Sequence, residues 1–181
     1  MAARSGALAM ETAESLYFGD LRYKMENAHR LHREFGARLE ADPEIREHLK
    51  QLLRLQEELT EVMRRMGLFE LCSECGGRTG GGCCSAVMAD ETDSMLLLIN
   101  LCAGFEVDPK RDDDYECCFL GAEGCSLTFK PFLCLNYLCR QIQATRSPEQ
   151  LARLQGATSA FLGQILILED LIRRQLSAGA A

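Results

Sequence analysis

The segment DPEIREHLKQLLRLQEELTEVMRRMG, from Asp42 to Gly67, carries its own start, its own buried face and its own stop. Asp42-Pro43-Glu44 reads as N-cap, N1 and N2 of a helix: the aspartate oxygen accepts a free backbone N–H of the first turn, and proline at N1 has no N–H to lose there. Ile45, Leu49, Leu52, Leu59, Met63 and Met66 then recur along one face at helical spacing. Gly67 can end the helix in the left-handed conformation that side chains disfavour. A stretch this long and this regular sets the fold class as mainly α.

Two further stretches repeat the pattern. Leu21, Met25, Ala28, His32, Phe35 and Leu39 alternate steps of four and three, which predicts an amphipathic helix over about residues 12–40. Ser147-Pro148-Glu149-Gln150 is a capping-box sequence with proline at N1, and Leu151, Leu154, Phe161, Ile165, Leu168 and Ile172 continue it as a third long helix. The 3-4 apolar spacing suits an antiparallel bundle packed ridge into groove. Leu162, Leu166, Ile167 and Leu171 make the last helix apolar over more than one face, so it is either the central helix or part of a homodimer or other protein contact. The expected organisation is a helical hairpin over 1–67, an irregular cysteine-rich metal-binding insert over 68–146, and a C-terminal helix over 147–181 that packs on the hairpin.

The insert holds all ten cysteines. They read Cys72-x2-Cys75-x7-Cys83-Cys84, then Cys117-Cys118-x6-Cys125-x8-Cys134-x4-Cys139, with Cys102 alone between the halves. Nothing in the first ten residues resembles an export signal, so the expected setting is cytoplasmic and reducing, where paired cysteines serve as thiolates more often than as disulfides. Two residues between Cys72 and Cys75 let both sulfurs meet one ion at a knuckle, and the glycines that follow let the backbone fold back to deliver Cys83 or Cys84. The second half offers Cys118, Cys125, Cys134 and Cys139. Eight such ligands suit two four-ligand sites or one larger cluster, and thiolates select zinc or iron–sulfur over magnesium or calcium. Elsewhere in the insert, Asp90-Glu91-Thr92 reads as a helix start before a short apolar helix through Leu101, Asp108 to Asp114 as a charged turn or loop, and Tyr115 to Arg140 as too irregular to assign to helix or strand.

Charge narrows the function classes. The chain carries a net −7, and residues 69–146 hold twelve Asp/Glu against six Lys/Arg, so the acid excess sits with the cysteines. Four thiolates on one Zn²⁺ add about −2 more. Modules that bind nucleic acid surround their metal with lysine and arginine, and this one does the reverse. The longest uninterrupted apolar runs, residues 95–99 and 165–168, are far too short to span a bilayer, so no membrane partner is expected.

The pattern Cys72-x2-Cys75…Cys83-Cys84, followed by Cys118-Phe-Leu…Gly124-Cys125-Ser-Leu…Lys130-Pro131-x2-Cys134-x2-Tyr137-x-Cys139, resembles the YkgJ-type CxxCxxxCC cysteine-cluster family over residues 72–140. That family is described as zinc- or iron-chelating, and its domain also occurs in a flagellin lysine N-methylase. The resemblance implies a metal centre, zinc or iron–sulfur. It departs from the family in having seven residues rather than three between Cys75 and Cys83, and Lys130 where the family favours arginine. The longer loop leaves open which of Cys83 and Cys84 reaches the first site.

Other residues carry blander readings. Cys102 reads as core and Cys117 as an alternate for Cys118. His29 and His32 are an i, i+3 pair able to share an ion, but nothing near His32 in sequence completes a site, so a hydrogen-bonded bundle histidine and a solvated neighbour are expected. His48 reads as a surface residue, Asp112-Asp113-Asp114 as a solvated turn, and the glycine loop as no phosphate cradle, since no P-loop lysine follows it. Three roles fit the array: a structural metal in an interaction module, an iron–sulfur enzyme with S-adenosylmethionine-linked protein methylation, or the handling of metal and redox equivalents. No catalytic constellation singles one out.

Overall fold

The structure, a computed structural model, describes residues 16–76, 82–110, 115–121 and 124–178. The expected Asp112–Asp114 turn, most of the glycine loop and the first residues of the expected N-terminal helix lie outside the described residues. Leu16 and Tyr17 are helical, but Gly19 then takes a positive φ of 109° and the first long helix, α1 (Leu21–Ala41), begins only after it. Asp20 caps it, accepting from the Tyr23 N–H at 2.8 Å. The expected continuous helix from residue 12 is thus broken, because a capping aspartate after a left-handed glycine restarts the backbone.

α2 (Pro43–Arg65) starts where the sequence placed it. Asp42 accepts from the N–H groups of Glu44 and Ile45 at 2.9 and 3.1 Å, and Gly67 follows the helix at φ 61°. Asp42 also closes α1, so a single residue separates the two helices. With so short a link, α1 has α5 as its chief partner and α2 has α8, rather than each other. α3 (Leu68–Gly76) follows Gly67 at once, and α4 (Ala86–Asp90) and α5 (Ser94–Cys102) follow the glycine loop. The start of α5 is Asp93, which accepts from the Leu96 N–H at 2.7 Å, whereas Asp90 ends α4. β1 (Leu120–Gly121) and β2 (Gly124–Cys125) form a two-residue hairpin in register Leu120 with Cys125. α6 (Phe132–Asn136) and α7 (Arg140–Thr145) lead into α8 (Pro148–Ala178).

The start of α8 is a reciprocal capping box: Ser147 Oγ accepts from the Gln150 N–H at 3.3 Å, and Gln150 Oε1 accepts from the Ser147 N–H at 3.0 Å. Its Leu154, Phe161, Ile165, Leu168 and Ile172 are buried with Ile45, Leu49, Leu52 and Leu59 of α2 in the main core. By length and composition α8 is also apolar enough to cross a bilayer, yet here that apolar seam is packed in the core. Polar pegs fix the register of α2 on α8. The buried Gln164 amide donates to His48 Nδ1 at 2.7 Å and to the His48 carbonyl at 3.1 Å, so His48 is an interface residue and not the surface residue its sequence suggested.

A second, smaller core gathers Ala28 and Leu97 with Val107, Cys117, Phe119, Leu120 and Leu127. It seats the cysteine segment on α1 and α5. The buried Lys24 of α1 reaches across to the Asp90 carbonyl at 2.6 Å, a cation placed at the C-terminal end of α4, where free carbonyls concentrate.

Candidate metal centre

α3 carries Cys72 and Cys75 one helical turn apart. The expected knuckle is therefore a helix: a two-residue gap serves both, and Leu68 and Leu71 bind this short helix to the core as a turn would not. On the far side of the glycine loop, residues 83–86 run against residues 115–117. Ala86 N–H donates to the Tyr115 carbonyl at 2.9 Å, Cys117 N–H donates to the Cys84 carbonyl at 3.0 Å, and Ser85 bridges Glu116. This pairing sets the two Cys-Cys pairs beside one another.

Asn100, near the end of α5 and fully buried, positions the last two cysteines. Its amide donates to the carbonyls of Leu96 and Phe129 at 2.9 and 3.0 Å, and its oxygen accepts from the Phe129 N–H at 2.9 Å. Phe129 is locked further by ring contacts to Phe105 at 5.6 Å and Phe161 at 6.0 Å. Lys130 then points back over Phe69 of α3 at 5.9 Å. Cys134 follows on α6 and Cys139 just before α7.

The outcome is a cavity of about 300 Å³ whose wall includes Cys72, Cys75, Cys83, Cys84, Cys134 and Cys139. The cavity draws on both halves of the array, since Cys134 and Cys139 join the first-half cysteines. Cys118 and Cys125 pack instead against the smaller core beside Cys84 and the buried Cys117. Cys102 is buried, as its core reading requires, and so is Cys117, the alternate for Cys118. No disulfide joins any of the ten cysteines. Among the described residues, no three array sulfurs come within 4.8 Å of one another.

Electrostatics around the cavity are those of crowded thiols. Cys72 and Cys134 are accessible to water on the cavity side but backed by protein, and that burial is the largest cause raising both, with neighbouring cysteines adding to it. Cys134 is pushed up to about 12 and Cys118 to about 11. Lys130 is the cation that opposes the rise at both Cys72 and Cys134. In the Cys83-Cys84 pair a hydrogen bond between the thiols lowers Cys83 and raises Cys84. Cys83, whose thiolate is favoured, shares the cavity wall with five other cysteines, an all-sulfur donor set that suits a soft cation. Thr158, 1 % exposed, also lines the cavity, and its buried hydroxyl has no hydrogen-bond partner among the described residues.

Sequence reasoning missed a separate constellation. His32 Nε2 lies 2.9 Å from Glu40 Oε1, two helical turns further along α1, and Cys102 at the end of α5 brings its sulfur within 4.8 Å of both. His29, in contrast, faces Asp108 at 3.7 Å, so the two histidines do not share a site. The signal was the spacing His32-x3-Gly36-x3-Glu40, with a glycine where a helix gains nothing from one.

No family model, curated protein or solved structure matches this chain. The resemblance to the cysteine-cluster family therefore rests on the quoted pattern alone.

Proposed function

We propose that the protein binds metal through its cysteine array, as a Cys-ligated zinc or iron–sulfur centre, and that the centre organises an interaction module built on the helices. The observation that carries this reading is the convergence of six cysteines from both halves of the insert on one cavity beside Lys130. The donor set is all sulfur, which favours zinc or iron over hard cations. Cys72, Cys75, Cys83 or Cys84, Cys134 and Cys139 would hold the centre, with Cys118 and Cys125 close enough in sequence and packing to serve a second ion. The ion would supply positive charge that lets several thiols ionise together. A cytoplasmic setting, which keeps the thiols reduced, goes with this reading, as does membership of the YkgJ-type family. Leu166 and Ile167, exposed on the outer face of α8, suit contact with a second copy or another protein.

A second reading draws on the cavity itself. Its volume of about 300 Å³ reaches the range of small-molecule sites, and the unpartnered Thr158 hydroxyl offers a polar anchor within it. Both favour an enzyme in which a small ligand, such as S-adenosylmethionine, sits beside the centre.

Elemental analysis and a visible spectrum of protein purified without oxygen test the main reading. Stoichiometric zinc, or iron with sulfur-to-iron charge-transfer absorption, is expected, and Cys75→Ala should lower it. A folded wild-type chain free of zinc and iron would overturn the proposal. Titration with S-adenosylmethionine separates the second reading from the first.

A further inference from the structure

We propose that His32, Glu40 and Cys102 form a second metal site, distinct from the array: a three-ligand site for a zinc-like divalent ion with one coordination position open to solvent. The site stands whether or not the array binds metal.

Three observations converge on it. The donors are a nitrogen, an oxygen and a sulfur, all within 4.8 Å of one another, and they come from two different helices. Tetrahedral zinc with bond lengths of about 2.0–2.3 Å sets its donor atoms about 3.5 Å apart, so rotamer adjustments of under an ångström or so admit the ion. It would take the place of the hydrogen bond between His32 Nε2 and Glu40 Oε1, now 2.9 Å, and displace the Cys102 thiol proton.

The second observation is Gly36. It is buried in the middle of α1, four residues from each of His32 and Glu40. Glycine there costs the helix about 1 kcal/mol relative to alanine. A Cβ on Gly36 would stand 2.8 Å from His32 Cδ2 and 3.0 Å from Nε2. The missing side chain is therefore what lets the imidazole lie flat along the helix and reach toward Glu40. A surface hydrogen bond between histidine and glutamate needs no such accommodation in a helix interior; a ligand that must be held at one angle does.

The third is the division of exposure. Cys102 is 8 % exposed and sits in the main core, whereas the side chains of His32 and Glu40 are 32 % and 46 % exposed. An ion here is anchored from below by sulfur and faces water above. Three protein ligands with a free position is the layout of zinc that activates water or polarises a carbonyl, whereas structural zinc is closed by four. Nitrogen and thiolate donors exclude magnesium and calcium as the resident ion.

The test is zinc content by difference, measured on the full-length chain. Wild type, His32→Ala, Glu40→Gln and Cys102→Ala are loaded with zinc, freed of excess, and assayed for zinc per chain beside their far-ultraviolet circular dichroism. Each folded variant is expected to hold one ion fewer than wild type. Gly36→Ala removes no donor, yet should bind that ion about 10- to 100-fold more weakly in competition with a zinc indicator, the effect of misplacing a ligand. Glu40 is exposed, so Glu40→Gln decides the matter even if Cys102→Ala fails to fold. Zinc content and affinity unchanged across the folded variants would overturn the proposal. Because the readout is a difference of one ion, it is separate from the array: if the array is empty, wild type holds one ion and the variants none.

Discussion

Helices α2 and α8 close on each other through Leu52, Leu59, Phe161 and Leu168, all essentially inaccessible to water, and their one buried amide, Gln164, donates twice to His48. The segment from Gly82 to Cys139 closes differently. Its elements are two to nine residues long, and it is held together by the Cys84–Cys117 backbone pairing and by Asn100, and tied to α1 by Lys24. Around these ties it leaves a cavity walled by thiols. Apolar burial with the Gln164–His48 peg completes the first region, while the second keeps donor atoms in reserve where packing would otherwise have placed leucine. A region left incomplete in this way is where a ligand belongs, and the complete region is what keeps it in place.

The largest effect should come from Asn100, where the two regions meet. Asn100→Ala leaves the Phe129 N–H and carbonyl buried without partners and removes a packed side chain. We expect about 4 kcal/mol of destabilisation by urea unfolding. Because Phe129 leads directly into Lys130, Cys134 and Cys139, the variant should also lose metal content and show faster amide exchange over residues 126–139. Unchanged exchange there would mean that the segment is held by something other than Asn100.

Leu52→Ala probes the complete region by itself. It opens a cavity between α2 and α8 and should cost about 3 kcal/mol. The folded fraction should bind metal at the array as wild type does. A parallel loss of metal would show that the two regions are one cooperative unit, and the contrast drawn between them would fail.

The same contrast explains what the sequence could and could not tell. Asp42, Gly67 and the Ser147/Gln150 box act on neighbours within four residues, so their roles were legible, and so was the mainly helical class. α3 was not, because Cys-x2-Cys fits both a knuckle and one helical turn, and only the packing of Leu68 and Leu71 on the core decides between them. The mixing of the cysteine halves depends on residues 83–86 meeting residues 115–117, a pairing no local pattern announces. Asn100 looked like a polar interruption at the end of an apolar run; its partner is twenty-nine residues away. On α1 the seam was read through Leu21, Met25, Ala28, His32, Phe35 and Leu39; Ala28 and Leu39 are buried, but so are Lys24, Asn27 and Leu31, the lysine because α4 offers it a carbonyl.

The smallest effect lies at the opposite end of α5 from Asn100. Burial, with Asp93 beside it, pushes the Glu169 carboxyl of α8 up to about 7 from its ordinary 4.5, while Arg173 opposes the rise. Asp93 is raised too, chiefly by burial, although it caps α5 and feels Lys24. Tyr17 completes the group and is raised by burial and by both carboxylates. Between pH 4.5 and 7 the folded chain keeps on Glu169 a proton that the unfolded chain has released. Its contribution to stability is therefore fully present below pH 4.5 and lost as pH rises through about 7. Glu169→Gln keeps the shape and removes the titration. Discounted for partial exposure, the variant should exceed wild type by on the order of 1 kcal/mol at alkaline pH and match it under acid conditions. The measurement is the urea midpoint across that range. A variant less stable than wild type at alkaline pH would mean that the carboxylate is paired rather than stranded, and that this end of α5 is as complete as the α2–α8 seam.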